Sequence, residues 1–215
     1  MSRKNLEEGG RLGRLRSEKE IVVEGMGDSI IDERTIEACQ RGDMEAFRLL
    51  FECYKDRVYS IALGFFDGDD AAAKDITQET FVKLMTRVSQ FQNRSEFSTW
   101  LYRLVVNACM DRKRAWRRML SYGDPLFLET PDLRRPADLR YIQNEMGVAV
   151  RMAIAGLKPK LRIAILLKYF DDLSYDEMAV AIGCSKGTVA SRLNRGHRIL
   201  AKKLAHLRGG IDLGE

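Results

Sequence analysis

The chain has 215 residues, with 36 lysines and arginines against 31 acids and 45% hydrophobic residues, which fits one globular domain or two small ones with ordinary cores. A net charge of +5 is too modest to mark a polyanion-binding protein by its total, so the clustering of the bases decides. Cys39, Cys53, Cys109 and Cys184 are scattered, with no C-x-x-C and no histidine at ligand spacing, which argues against a disulfide frame or a zinc site and for buried reduced thiols.

The N-terminal stretch MSRKNLEEGGRLGRLRSEKE is charged, dotted with glycine and lacks the apolar core of a secretory leader. No run is long enough to cross a bilayer, so the expectation is a cytoplasmic protein, with residues 1–30 as a flexible arm. From Asp43, an N-cap, the apolar residues Ala46, Phe47, Leu50, Phe51, Tyr54, Val58, Ile61 and Ala62 recur at spacings of three and four, predicting an amphipathic helix that ends near Gly64. The next helix opens with acids at its positive end and carries Phe81, Leu84, Met85 and Val88 along its inner face. On its opposite side stand Asp75, Gln78, Glu79 and Val82, a solvated surface by default or a docking face.

After a polar loop, a third helix is expected to be capped at Ser95 and to turn Phe97, Leu101, Leu104, Val105 and Ala108 inward. It closes on Arg112, Lys113, Arg114, Arg117 and Arg118, with Trp116 among them. A helix dipole accounts for two such bases at a C-terminus; residues 91–118 hold seven bases against two acids, which favours a phosphate-facing surface. Residues 121–138 hold three of the four prolines and read as a linker between two helical blocks. No strand pattern stands on either side, so the fold class is all-α, two small helical domains joined by a proline-containing linker.

In the second block a helix from about Leu139 to Ala155 gives way at Gly156 to another beginning at Pro159. Ser174 and Glu177 form a capping-box pair, Gly183 suits a left-handed stop and Ser185 caps the next helix. Two helices joined through a glycine turn match a helix-turn-helix, whose second helix enters the major groove. Residues 184–204, which carry that second helix, contain no carboxylate. Val189, Leu193, Leu200 and Leu204 supply its core contacts, leaving Lys186, Ala190, Ser191, Asn194 and Arg195 as groove-facing candidates. Arg195 suits guanine and Asn194 adenine, while Lys186, Arg192 and Arg198 suit phosphates.

A helix-turn-helix by itself also fits a repressor or activator with residues 31–118 as a dimerisation or sensor domain, and a helical bundle with a basic surface fits an adaptor that binds no DNA. An enzyme is poorly supported: neither His197 nor His206 stands near a carboxylate pair, and no glycine-rich phosphate loop follows a strand. Four segments in order, GDMEAFRLLFECYKDRVYSIA, DITQETFVKLM, FSTWLYRLVVNACMDRKR and LSYDEMAVAIGCSKGTVASRL, resemble the extracytoplasmic-function branch of the sigma-70 transcription initiation factors. The resemblance runs from about residue 35 to 207.

That resemblance implies a non-enzymatic promoter-specificity subunit without cofactor or metal. Residues 31–118 would be sigma region 2, 119–138 the linker, 139–208 the region 4 helix-turn-helix and 209–215 a tail. Asp75, Gln78 and Glu79 match the D-x-x-Q-E pattern that meets the polymerase clamp helices. Asn93, Arg94, Ser95, Phe97 and Asn107 map onto the pocket for a base flipped from the −10 element, with Arg112, Lys113 and Arg114 tracking the neighbouring backbone. Lys186, Thr188, Ser191, Arg192, Asn194, Arg195 and Arg198 map onto the −35 reader. The implied partners are core RNA polymerase through its clamp helices and flap, promoter DNA and an anti-sigma factor, with no membrane insertion. Many relatives have a base at Ala190, a bulky apolar residue at Asn194 and alanine at Gly196, so the −35 sequence does not transfer from them.

Overall fold

The computed structural model describes residues 31–121 and 145–206; the arm, the linker from residue 122, the expected helix start at Leu139 and the tail lie outside the described residues. Every element within them is helical: α1 Glu33–Gln40, α2 Met44–Phe65, α3 Asp70–Arg87, a 3-10 turn Val88–Gln90, α4 Phe97–Ser121, α5 Glu145–Ala155, α6 Pro159–Phe170, α7 Tyr175–Ile182 and α8 Lys186–Lys203. Local chemistry sets most of the starts. The Asp43 carboxylate accepts from Glu45 N at 2.8 Å and Ala46 N at 3.1 Å, and Asp69 accepts from Ala72 N at 2.9 Å, each satisfying amides that the first turn leaves bare.

Along α2 the stripe behaves as its period predicts, with Leu50, Val58, Ile61 and Ala62 fully buried. On α3 the inner face is narrower than expected: Phe81, Leu84 and Val88 are buried, whereas Met85 is 48% exposed beside the 54% exposed Val82. All five inward residues predicted for the third helix, α4, are buried. That helix begins at Phe97, so Glu96, whose carbonyl accepts from Trp100 N at 3.2 Å, holds the cap position assigned to Ser95. Helix α1 has no counterpart among the elements expected from the sequence; it buries Ile36 and Cys39 and packs on α2 and the 3-10 turn.

The second block closes as expected. Ser174 Oγ accepts from Glu177 N at 3.3 Å while Glu177 returns a 2.7 Å acceptor to Ser174 N, and Gly183 at φ +68° ends α7. Ser174→Ala is expected to lower stability by about 1 kcal/mol, read as a fall in thermal midpoint, because the Glu177 amide loses its acceptor in the first turn while the Glu177 carboxylate still holds the amide of residue 174. Gly196 faces Ile165 so closely that a Cβ there would lie 3.1 Å from its side chain, so any larger residue would require Ile165 to shift. None of the four cysteines is in a disulfide; Cys39 and Cys109 are buried, Cys53 and Cys184 half-buried, and burial pushes the pKa of Cys109 up to about 12.

The two blocks pack against each other, α6 on α2 and α7 on α4, and their apolar residues form one continuous core. Leu166 of α6 sits on Gly64 of α2, where a Cβ would meet Leu166 Cδ2 at 2.8 Å. Polar bonds cross the same seam. Buried Arg162 donates to Phe65 O at 2.6 Å and pairs with Asp67, so a guanidinium from the second block caps the negative end of α2. Tyr102 OH donates to Asp171 Oδ1 at 2.8 Å, and burial raises the pKa of both groups.

Candidate polymerase and nucleic-acid interface

Three surfaces carry the predicted residues. The first is the outer side of α3, where Asp75 and Gln78 are exposed and Glu79 is half-buried. Glu79 pairs with Lys83 at 2.5 Å, one turn on. Asp75 accepts from Arg112 at 2.9 Å, tying this side of α3 to the basic end of α4. Exposed Val82 and Met85 continue the surface, so it combines carboxylates and amide with uncovered apolar area, the mixture of a protein-binding patch.

The second surface is the loop between the 3-10 turn and α4. Asn93 at φ +52° turns the chain and is exposed with Arg94, while Ser95 is half-buried. Phe97 is not offered to solvent: it is 5% exposed and packs against Phe91, Trp100 and Tyr54 at ring-centroid distances of 5.4, 5.9 and 5.8 Å. Its contribution is to support the loop from below. Asn107 is exposed ten residues further along α4, about 15 Å from Phe97 at helical rise.

Beyond Asn107 the basic tail begins. Arg112 is bound to Asp75, Lys113 lies 4.9 Å from the Trp116 ring centroid, and Arg114 pairs with Asp111. Exposed Arg117 and Arg118 extend the tail.

The third surface is α8. Ser185 Oγ accepts from Thr188 N at 3.2 Å and meets the Thr188 hydroxyl at 2.9 Å, so Thr188 belongs to the cap. Val189 and Leu193 are buried, and Leu200 and Leu204 are half-buried. That leaves Ser191, Asn194, Arg195 and Arg198 exposed, with Arg192 and Ala190 half-buried. Lys186 is exposed but paired with Asp176 of α7 at 2.7 Å. Tyr169 and His197 meet at 2.9 Å across the back of the helix.

Docking of the two blocks brings the basic tail of α4 and helix α8 together. Arg117 of α4 and Arg192, Arg195 and Arg198 of α8 line one cleft of about 740 Å³, with Lys158 and Lys160 at its α6 edge. No carboxylate contributes to that lining. Among the described residues no helix is long and apolar enough to cross a membrane.

The two helical blocks, the second with its basic helix-turn-helix, match known proteins in the same order. The family model "Sigma-70 region 2" matches residues 50–119 and "Sigma-70, region 4" matches residues 147–200. The ECF RNA polymerase sigma-E factor of Escherichia coli K12 is 32% identical over 190 residues, covering 85% of this chain and 98% of that one. This chain belongs to the extracytoplasmic-function branch of the sigma-70 family. Such a sigma factor directs promoter-specific transcription initiation and is not an enzyme. The RNA polymerase sigma-H factor of Pseudomonas aeruginosa is 31% identical over 185 residues, 82% of this chain and 95% of that protein.

Two solved structures share the sigma fold. The sigma factor RpoE in complex with the anti-sigma factor NepR, from Bartonella quintana, aligns with a TM-score of 0.63 at 23% identity over 75% of this chain and 98% of its own. CnrH in complex with the cytosolic domain of CnrY aligns with a TM-score of 0.60 at 21% identity over 82% of this chain and 98% of its own.

Within this sigma factor, α1 and most of the polar seam were not foreseen. Glu33, Gln40, Gly64, Tyr102, Arg162 and Asp171 all act between elements distant in sequence, where periodicity carries no signal. For α1 the available signal was Asp32, whose side chain accepts from Thr35 N at 2.8 Å, ahead of the apolar pair Ile36 and Cys39.

Proposed function

We propose that Asp75, Gln78 and Glu79, continued by Val82 and Met85, bind the clamp helices of core RNA polymerase, while α8 reads the −35 element and its domain docks on the flap. The loop carrying Asn93, Arg94 and Ser95, with Asn107 beyond it, captures a base flipped from the −10 element. Exposed polar edges suit capture of an unstacked base, and the α4 tail supplies charge for the flanking phosphates. The observation that carries the reading is the capped, carboxylate-free α8, standing behind a left-handed glycine turn with Asn194, Arg195 and Arg198 exposed.

The −10 and −35 elements lie about 25 base pairs apart, roughly 85 Å of B-form duplex at 3.4 Å per step. The α4 tail and α8 share one cleft, so reading both elements requires the two blocks to separate. An anti-sigma factor is the fitting regulatory partner, since the Bartonella quintana sigma factor that shares this fold was solved in such a complex.

Reconstitution with bacterial core RNA polymerase and run-off transcription from a promoter library tests the reading. Failure to associate with core sinks it; association without promoter-dependent initiation favours an adaptor. Replacing Gln78 and Glu79 with alanine is expected to weaken core binding by about tenfold, the effect of losing one or two interface contacts. Arg195→Ala is expected to blunt promoter choice and leave core binding intact. Equal effects of both changes on core binding would overturn this division of labour.

A further inference from the structure

Helix α1 ends before the first residue matched by the region 2 family model, yet its side chains reach the loop that precedes α4. Gln40 Nε2 donates to Val88 O at 3.1 Å and to Phe91 O at 2.9 Å, across 48 and 51 residues of chain. Both carbonyls belong to the turn that launches the loop, so one amide group fixes the direction in which it leaves the core. Phe91, buried against Phe97 and Trp100, anchors the same point from the apolar side.

The second contact falls on the loop itself. Glu33 Oε1 accepts from Asn93 Nδ2 at 2.7 Å. A carboxylate only accepts, so this bond settles which way the Asn93 amide points: its NH2 faces α1 and its Oδ1 is left as an acceptor. An amide without such a neighbour presents either a donor or an acceptor to a passing base. The left-handed backbone at Asn93 costs less for asparagine than for most residues, so backbone and side chain are set together.

We infer that Glu33 and Gln40 of α1 are positioning residues for −10 recognition: Gln40 orients the loop and Glu33 fixes the Asn93 amide with its oxygen toward the captured base. This rests on the reading of the loop as the base-capture element. Neither α1 residue touches DNA in this arrangement: Glu33 acts through Asn93, and Gln40 through the turn from which the loop departs.

The test uses the full chain assembled with core RNA polymerase. The probe is a fork-junction DNA built on a promoter recovered from the library, with each of the four bases placed in turn at every unpaired non-template position. Glu33→Ala is expected to reduce discrimination at the captured position by about fivefold, the loss of one ordinary hydrogen bond, while core affinity stays within about twofold. Glu33→Gln is expected to retain discrimination, because a glutamine oxygen still accepts from Asn93. Gln40→Leu removes two bonds and is expected to exceed Glu33→Ala.

Exposed Glu33 carries the test if Gln40→Leu loosens α1, which circular dichroism would register. Asn93→Asp sets two carboxylates against each other and is expected to lose discrimination, and Glu33→Gln in the same chain to restore part of it by reversing donor and acceptor. Wild-type discrimination in both Glu33→Ala and Gln40→Leu, with Asn93→Ala impaired, overturns the role of α1 alone. Wild-type discrimination in Asn93→Ala overturns the base-capture reading and this inference with it.

Discussion

Arg162→Ala is expected to undock the two helical blocks. The guanidinium is buried at the seam, satisfies Phe65 O and Asp67 of the first block, and holds Leu157 O of its own at 3.4 Å. Removing it strands two buried carbonyls and an unpaired carboxylate; breaking such a pair from one side costs about 3–5 kcal/mol. Asp67 is exposed enough to recover water, so the lower end of that range applies. Small-angle scattering of the full chain should change from a single-peaked to a two-lobed distance distribution. Two lobes in the wild-type chain would overturn the docked arrangement.

Gly64 separates undocking from unfolding. Gly64 stands in the last turn of α2, where glycine forgoes at most about 0.5–1 kcal/mol of helix stability relative to alanine, and the return is the close approach of Leu166. Gly64→Leu should improve α2 as a helix while driving a wedge into the seam, since even a Cβ would lie 2.8 Å from Leu166 Cδ2. Two lobes in scattering with helical content unchanged is the expected result. If Gly64→Leu stays compact and folded, Leu166 moves aside and the contact does not govern docking.

These residues explain where sequence reading works and where it stops. The stripe of α2, the Ser174–Glu177 capping box, the Gly183 stop and the Ser185 cap depend on neighbours within four residues, and each stands as its local pattern predicts. Met85 departs because a helical period assigns it the inner face, while α2 and α4 cover only the sector holding Phe81 and Leu84. Phe97 shows the converse: periodicity placed it in the core, the resemblance placed it in the base pocket, and its ring lies in the core. Arg162 was one cation in the apolar run LRIAILLKYF, and its partners stand 95 and 97 residues away. Helix α1, eight residues long with two buried, is too short for a period to register.

The bases of α8 carry the second large effect. Arg192, Arg195 and Arg198 recur every third residue, so they form one row along a helix face. Like charges at that spacing repel by a few tenths of a kcal/mol per pair, a cost that an anionic surface would offset. Each phosphate neutralised contributes about 0.9 to the slope of log affinity against log salt. Replacing all three arginines with alanine should therefore lower that slope for holoenzyme on duplex promoter by about 2, from the phosphate partners of Arg192 and Arg198, and weaken binding on the order of 100-fold at moderate salt, with loss of base choice at the position read by Arg195. Lys202 and Lys203 provide the control. They sit in the last turn of α8, where cations favour the helix dipole without any DNA, so their replacement should change the slope far less. Equal slopes for the two sets of substitutions would mean that α8 attracts DNA as a diffuse positive surface and that its row of arginines is not the groove-facing side.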